Sequence, residues 1–564
     1  MMSSLEGVPP ALIIMLGALA VPLLRGPWRN IYMLALPFIA FAALMSTPAG
    51  DHGTLQYLGL ELVTFRLDDW SLIFSCVFLL ATAMSVIYAW HIDDWVQQVA
   101  GLIYAGGAVG AVLAGDFVTL FMFWEATAIS SVFLVWASRT EASYRAGMRY
   151  LVVQLLSGLL LLTGGLVLYT QTGSIRFEFI GLEGLGGWLV FLAFGIKCAF
   201  PLLHNWLEDA YPQATVTGTV FLSAFTTKLA VYALARGFAG TPELIWIGAT
   251  MTAFPIFYAV IENDLRRVLT YSLNNQLGFM VVGIGVGTEL ALNGTAAHAF
   301  CHIIYKALLF MSMGAVLFRT GTVNGSALGG LYKSMPWTAG FCIVGAASIS
   351  AFPLFSGFVS KSLIITAVAL EGHFWVWAIL LFASAGVFHH SGIKIPYFAF
   401  FAQDSGIRCE EAPRNMLIAM GIAATLCIGI GVYPSALYAL LPYAVDYEPY
   451  TGAHVLTQLQ LLVFSALAFS VLMWHRIYPP ELPSVNLDTD YFYRRLGPAV
   501  VRDVGRAIAA LRADVVAIAL IVVAGLQRLS GRYFGPDSPM ATTLTAQMLV
   551  WTIGSLAALL LLLY

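Results

Sequence analysis

Five of the six lysines in this chain fall inside apolar stretches: Lys197, Lys228, Lys306, Lys361 and Lys394. Only Lys333 stands in a polar loop, whereas arginine is placed almost wholly in loops and in the tail. Interchangeable positive charges would not sort this way. Arginine keeps its proton in a protein, while a buried lysine can have its pKa lowered by roughly 3–5 units and release a proton near neutrality. Each cation at mid-membrane costs about 2.5–3.5 kcal/mol on insertion scales. Five together are on the order of 15 kcal/mol, comparable with the stability of a whole domain. The pattern points to a proton path. Snorkelling of the long side chain towards the interface stays open for Lys394 and Lys361, which stand near expected helix ends or breaks.

Other ionisable groups share the apolar stretches. Glu125, in LFMFWEATAISSVF, is a lone carboxylate in an apolar helix. It reads either as half of a structural ion pair or as a proton-carrying group, and a pair that can open is both. His298, His302 and Lys306 are spaced by four and so stack on one helix face. Two histidines at that spacing could hold zinc, but no HExxH glutamate and no third ligand accompany them. Hydrogen-bonded core histidines are a second reading, and a proton relay ending at Lys306 is the favoured one. His204 and Asp209 follow Pro201 in HNWLEDAYP, where a broken helix would expose backbone groups to ions or water. A polar loop explains them equally well. His389 and His390 precede Lys394 and could extend the path from it.

These groups need a membrane scaffold. Of the 564 residues, 60% are hydrophobic and 10% charged, against about 25% charged in soluble chains. Spans of roughly 20 apolar residues are expected at 8–24, 31–45, 70–90, 96–114, 117–136, 150–169, 188–206, 214–235, 244–261, 268–286, 296–318, 337–370, 374–401, 416–433, 456–474 and 544–563. Alternate loops carry Arg25, Arg29, Arg139, Arg145, Arg149, Arg266, Arg267, Arg319, Lys333, Arg408 and Arg414, and the opposite loops only Arg66, Arg176 and Arg236. The positive-inside rule puts the first set in the cytoplasm and the N-terminus outside. The opening MMSSLEGVPP holds no Lys or Arg, so the first run reads as a retained helix.

Ala199-Phe200-Pro201-Leu202 recurs as Ala351-Phe352-Pro353-Leu354, each inside a long apolar segment. Two Pro-interrupted helices at matching places in two halves point to a transporter built from repeats. In the tail, Arg502, Arg506 and Arg512 fall along roughly one side of a helix. Residues 500–529 therefore read as an interfacial helix, with a re-entrant or tilted segment as the alternative. The six cysteines form no CxxC pair, which argues against an iron–sulfur cluster or structural zinc. No cofactor is expected, and the net charge of −3 without a basic block gives no sign of nucleic-acid binding.

The blocks FWEATAISS, FGIKCAFPLLHNWLEDAYPQATVTGTVFLSAFTTKLAVYALAR, ENDLRRVLTYSLNNQLGF, HAFCHIIYKALLFMSMGAV and AFPLFSGFVSKS resemble the proton-conducting antiporter family. That family comprises Mrp-type Na⁺/H⁺ antiporter subunits and the antiporter-like subunits of respiratory complex I. The DAYP form after the broken helix is most similar to the D-type Mrp antiporter subunits. The resemblance implies an all-α polytopic membrane protein of about 14–16 transmembrane helices with two inverted five-helix repeats, each with a Pro-broken helix. The domains would be 1–95, 96–236 and 242–401 (the two repeats), 402–474, and a tail 475–564.

Residue by residue, the resemblance makes Glu125 and Lys197 a pair and Lys228 a connecting lysine. It makes His298, His302 and Lys306 a relay, and Lys361 the lysine of the second broken helix. The implied function is proton translocation in a multisubunit Na⁺ or K⁺/proton antiporter with other membrane subunits as partners. The alternative is a pump subunit of a quinone- or hydrogenase-linked complex, and a third is a module energising inorganic-carbon uptake with a zinc-binding partner. Ser362 stands where complex I relatives often carry Asp, and the long tail is similar to the end of the largest complex I antiporter-like subunit.

Overall fold

The computed structural model describes residues 7–484, 486–539, 541–542 and 545–563. The first six residues, part of the start that lacks a positive charge, lie outside them, as does Leu544 at the head of the last expected span. The chain divides into two compact units, Met1–Asn486 and Leu487–Tyr564.

Every expected span in the first unit is helical. The order is α1 (Pro10–Ala18), α2 (Gly26–Ser46), α3 (Asp69–Tyr88), α4 (Trp95–Leu113), α5 (Phe117–Trp136), α6 (Glu141–Thr172), α7 (Gly184–Lys197), α8 (Asn205–Ala210), α9 (Gly218–Ala224) and α10 (Thr226–Phe238). Then come α11 (Glu243–Ile261), α12 (Leu265–Val286), α13 (Glu289–Thr320), α14 (Pro336–Ile349), α15 (Ser356–Leu370), α16 (Phe374–Val387), α17 (Arg414–Val432), α18 (Ser435–Tyr438) and α19 (Gly452–Trp474). Among the described residues, 13 helices of the whole chain are long and apolar enough to cross a membrane, and four apolar helices are shorter. Three of the short ones, α7, α14 and α15, are pieces of broken spans.

The two AFPL segments break their helices in the same way. Ala199 and Ala351 are left-handed (φ 61° and 56°), as are Leu202 and Leu354 (φ 70° and 73°). Phe200 N donates to Gly195 O and Phe352 N to Ala347 O, both at 3.0 Å. Ala199 N reaches Ile196 O and Ala351 N reaches Ser348 O, both at 3.1 Å. This is a Schellman helix end with alanine in place of glycine, and the following proline bars resumption. A third interruption was not expected. Phe225 separates α9 from α10 inside what reads as one span.

The two sets of charged loops stay apart, each pairing within itself. Arg29 meets Asp93, Arg139 meets Asp94, Arg149 meets Asp209 and Lys333 meets Asp404. In the other set Arg176 meets Asp51, and Arg236 meets Asp68. That second set contains a β-hairpin absent from the sequence reading: β1 (Gly50–Tyr57) pairs antiparallel with β2 (Leu60–Leu67), Tyr57 opposite Leu60. Leu58 and Gly59 both turn left-handed (φ 51° and 80°), as a two-residue hairpin turn requires. The segment is too short and polar to register as a span, and it lacks the usual Asn-Gly turn signal.

The second unit holds α20 (Gly497–Phe534) and α21 (Thr545–Leu563). The apolar stretch 513–526, too short by itself to span comfortably, is the middle of a 38-residue helix about 57 Å long at 1.5 Å per residue. Phe492–Phe534 is apolar enough to cross a membrane by length and composition.

A Cβ on Gly357 would stand 1.8 Å from Ser348 O, a backbone atom at the second break. Gly357→Ala is expected to destabilise the protein by about 1–3 kcal/mol, read as a lower Tm of the detergent-purified chain. Gly340→Ala in α14, where nothing lies within 4 Å, is expected to leave Tm unchanged or raise it slightly, since alanine favours a helix interior over glycine.

Candidate functional site

The last residue of α7, Lys197, is fully buried and aimed at α5. Its Nζ donates to Trp124 O (2.7 Å) and Thr127 Oγ1 (2.8 Å) and lies 4.3 Å from the Trp124 ring centroid. Trp124 is fixed by its own Nε1–H bond to Ser157 Oγ of α6 (3.0 Å). Glu125 is the next residue, yet among the described residues no ion pair within 4 Å joins it to Lys197. Its Oε1 is buried without a protein hydrogen-bond partner, and a Cβ on Gly158 would come within 1.4 Å of it. Glycine at 158 makes the room that the carboxylate occupies. One turn earlier on the same face of α6, both amide atoms of buried Gln154 also have no protein partner. The expected pair is therefore adjacent, within electrostatic reach, and open.

Lys228 sits just past the interruption at Phe225. A broken helix leaves a carbonyl and an amide without intrahelical partners. Lys228 Nζ takes the carbonyl of Ser223 (2.6 Å), and Tyr104 OH accepts from Thr226 N (3.0 Å). The lysine is completely buried and meets no carboxylate within 4 Å among the described residues.

The second half is organised on α13. His298 Nδ1 is 3.1 Å from Ser360 Oγ and its Nε2 3.2 Å from Gln276 Oε1, which Tyr305 OH also reaches at 3.1 Å. Both ring nitrogens are thus within hydrogen-bond distance of protein groups. His302, its ring 6.2 Å from that of His298, is fully buried with neither nitrogen hydrogen-bonded to protein. Lys306 turns to α12 and donates to Ser272 Oγ (2.9 Å). Ser272 Oγ lies 2.7 Å from Ser391 Oγ, which is 2.9 Å from His390 Nδ1. Lys361 Nζ donates to Ile349 O (3.1 Å), a carbonyl released by the second break, and lies 4.8 Å from the Phe279 ring centroid. Lys228, Lys306 and Lys361 are all within electrostatic reach of His302.

His389, His390 and Lys394 share one π-helical stretch, Phe388–Lys394, that continues α16. Such wide turns aim side chains that an α-helix would not. His389 packs on Phe469 and Tyr478, and Lys394 binds the carbonyl end of α11. Lys394 is fully buried, and its head group reaches the loop end of α11 and the segment after α19.

Pro201 and Pro353 stand in the two breaks. His204 is buried, its ring 4.6 Å from that of Phe254, and the Asp209 carboxylate takes a two-pronged bond from Arg149 at 2.6 and 3.0 Å. The structure thus gives Asp209 a positioning contact that ties α8 to α6. Several residues the sequence reading missed hold the charged ones: Thr127, Gly158, Ser272, Gln276, Ser360, Ser391 and Glu481. Hydroxyl and amide residues inside apolar spans, as in LTYSLNNQLGF, were the available signal.

Ser272 supplies the protein acceptor for Lys306. Ser272→Ala is expected to destabilise the fold by about 1–3 kcal/mol by stranding a buried ammonium. Ser391→Ala, which removes one neutral link, is expected to lower stability by only about 1 kcal/mol. Thermal unfolding of both purified variants separates the two effects.

Residues 114–388 match the family described as NADH:quinone oxidoreductase/Mrp antiporter, TM. The chain is 30% identical over 360 residues to the D-type Na⁺/H⁺ antiporter subunit of Alkalihalophilus pseudofirmus, covering 59% of this chain and 72% of that one. It is 27% identical over 423 residues to hydrogenase-4 component B of Escherichia coli, covering 66% and 63%. The solved Mrp complex from Dietzia sp. DQ12-45-1b contains a chain that superposes with TM-score 0.77 at 25% identity, over 92% of this chain and 62% of that one. The chain thus spans somewhat less than two-thirds of the hydrogenase component and of the matched Mrp chain. On that identity and coverage of the D-type subunit, and on the family match over residues 114–388, this chain belongs to the NADH:quinone oxidoreductase/Mrp antiporter family of membrane proteins.

Proposed function

We propose that this chain is the proton-translocating subunit of a multisubunit Na⁺ or K⁺/proton antiporter in the cell membrane, working with other membrane subunits. Protons pass along Glu125, Lys197, Lys228, His298, His302, Lys306, Lys361, His390 and Lys394. The observation that carries this reading is the buried run Lys306–Ser272–Ser391–His390, in which ammonium, two hydroxyls and an imidazole lie within hydrogen-bond distance in series. A hydroxyl is donor and acceptor at once, so it passes a proton on by rotating. Buried polar atoms without protein partners, at Glu125, Gln154, Thr227, Asn274 and His302, are where ordered water completes the path.

In the same reading the two AFPL breaks mark two inverted five-helix repeats, and Glu125 and Lys197 close into a pair when the charge on Lys228 changes. His204, beside the first break, gives access from the cytoplasm. The arginine-rich loop set faces that side, with the N-terminus outside and α20 along the interface.

Likeness to hydrogenase-4 component B favours one other reading, a pump subunit in a redox-driven complex. Cation-dependent dissipation of ΔpH in inverted vesicles, with this chain expressed beside its neighbouring genes, separates them. Under antiport, Glu125→Ala and Lys197→Ala in an assembled complex lower the cation-dependent rate by about a hundredfold. Proton uptake that answers only to an electron donor supports the redox pump instead.

A further inference from the structure

Lys394 is held unlike the other buried lysines. Its Nζ stands among four oxygens: Ala259 O (3.2 Å), Val260 O (2.7 Å), Glu262 O (2.6 Å) and Glu481 Oε1 (2.9 Å). The three carbonyls belong to the C-terminal end of α11, whose last turn has no intrahelical donors for them and carries the negative end of the helix dipole. The carboxylate comes from the segment after α19, where Pro479 and Pro480 restrict the backbone just before Glu481. Both side chains are buried, at 0% and 5% exposure. On its other side Glu481 lines a cleft of about 610 Å³ together with Ser326, Phe398, Asp404, Arg476 and Tyr478. The cage therefore lies one side chain away from a route to the surface.

A ring of backbone carbonyls closed by one carboxylate is what a protein uses to replace the water shell of a monovalent cation. An ammonium and an alkali cation carry the same single charge and ask for the same oxygen ligands. We infer that the oxygens of Ala259, Val260, Glu262 and Glu481 form a binding site for Na⁺ or K⁺, in which the cation and the Lys394 ammonium exclude each other. This rests on the antiport reading and gives it a cation site within this chain. When Lys394 gives its proton inward to His390, the neutral amine leaves the cage and one cation enters from the cleft. The charge in the cage is unchanged, one proton having gone for one cation arriving.

The titratable groups facing Lys394 are Glu481, Glu262 from α11, and His389 and His390 from its own helix. Burial holds the Glu481 carboxyl above its ordinary range, and Lys394 pulls it back down. A carboxylate in that position binds a cation in exchange for the ammonium.

The test is equilibrium binding of radioactive sodium and rubidium to the purified, assembled complex at several pH values. The wild type is expected to bind one of them more tightly as pH rises, because deprotonation of Lys394 vacates the cage. Glu481→Gln is expected to raise the half-saturating concentration about tenfold or more by removing the charged ligand. Lys394→Met, which removes the competitor, is expected to flatten the pH dependence and serves if Glu481→Gln does not assemble. Half-saturation within about twofold of wild type in assembled Glu481→Gln, an undiminished pH dependence in assembled Lys394→Met, or no binding to the wild type, overturns the proposal. Binding that follows these expectations in a complex without cation-driven proton movement would leave the cage standing and defeat the antiport reading.

Discussion

Four ammonium groups, those of Lys197, Lys228, Lys306 and Lys361, are buried with carbonyl and hydroxyl oxygens around them and, among the described residues, no carboxylate within 4 Å. Dipoles can position an ammonium, but they do not neutralise it. A charge taken out of water without a counter-ion is held at a cost of several kcal/mol. A change in charge nearby alters the cost of keeping such a group charged. The rest of the architecture can be understood as the means of holding these groups.

Helix breaks and one helix end supply five of the six backbone carbonyls that hold the buried lysines. An intact helix spends its carbonyls on itself, so a lysine inside a bundle finds few acceptors. The break at Phe225 releases Ser223 O for Lys228, the break at Ala351 releases Ile349 O for Lys361, and the end of α11 gives three carbonyls to Lys394. The π-helical stretch after α16 brings His390, Ser391 and Lys394 to bear on the same region. Glycine serves a different end. At 158 it leaves space for a carboxylate, and at 357 it lets α15 begin against the end of α14. These irregularities in an otherwise regular bundle lie beside charged groups.

Much of this was legible in the sequence. Span positions followed from apolar length, the two broken helices from the repeated Ala-Phe-Pro-Leu, and the charged groups from the confinement of lysine to apolar stretches. The loop sets on the two faces followed from arginine placement. What escaped was whatever depends on contacts between helices. That Lys197 binds Trp124 O and not Glu125 is decided by how α7 crosses α5, which no spacing within either helix records. Ser272 and Ser391 are 119 residues apart, and neither is unusual within its own span. The break at Phe225 has no proline to announce it. The hairpin between α2 and α3 lacks a strong turn signal, and Glu481 stands in a polar tail where a carboxylate ordinarily faces water.

The central claim is that these positions carry lysine because the proton must leave. The direct test is proton translocation by the reconstituted complex with Lys306→Arg beside Lys306→Met. Arginine keeps the positive charge but does not release its proton. The account predicts that both variants fail alike although the complexes assemble. Translocation at the wild-type rate with arginine at 306 would contradict it, since a fixed charge would then suffice.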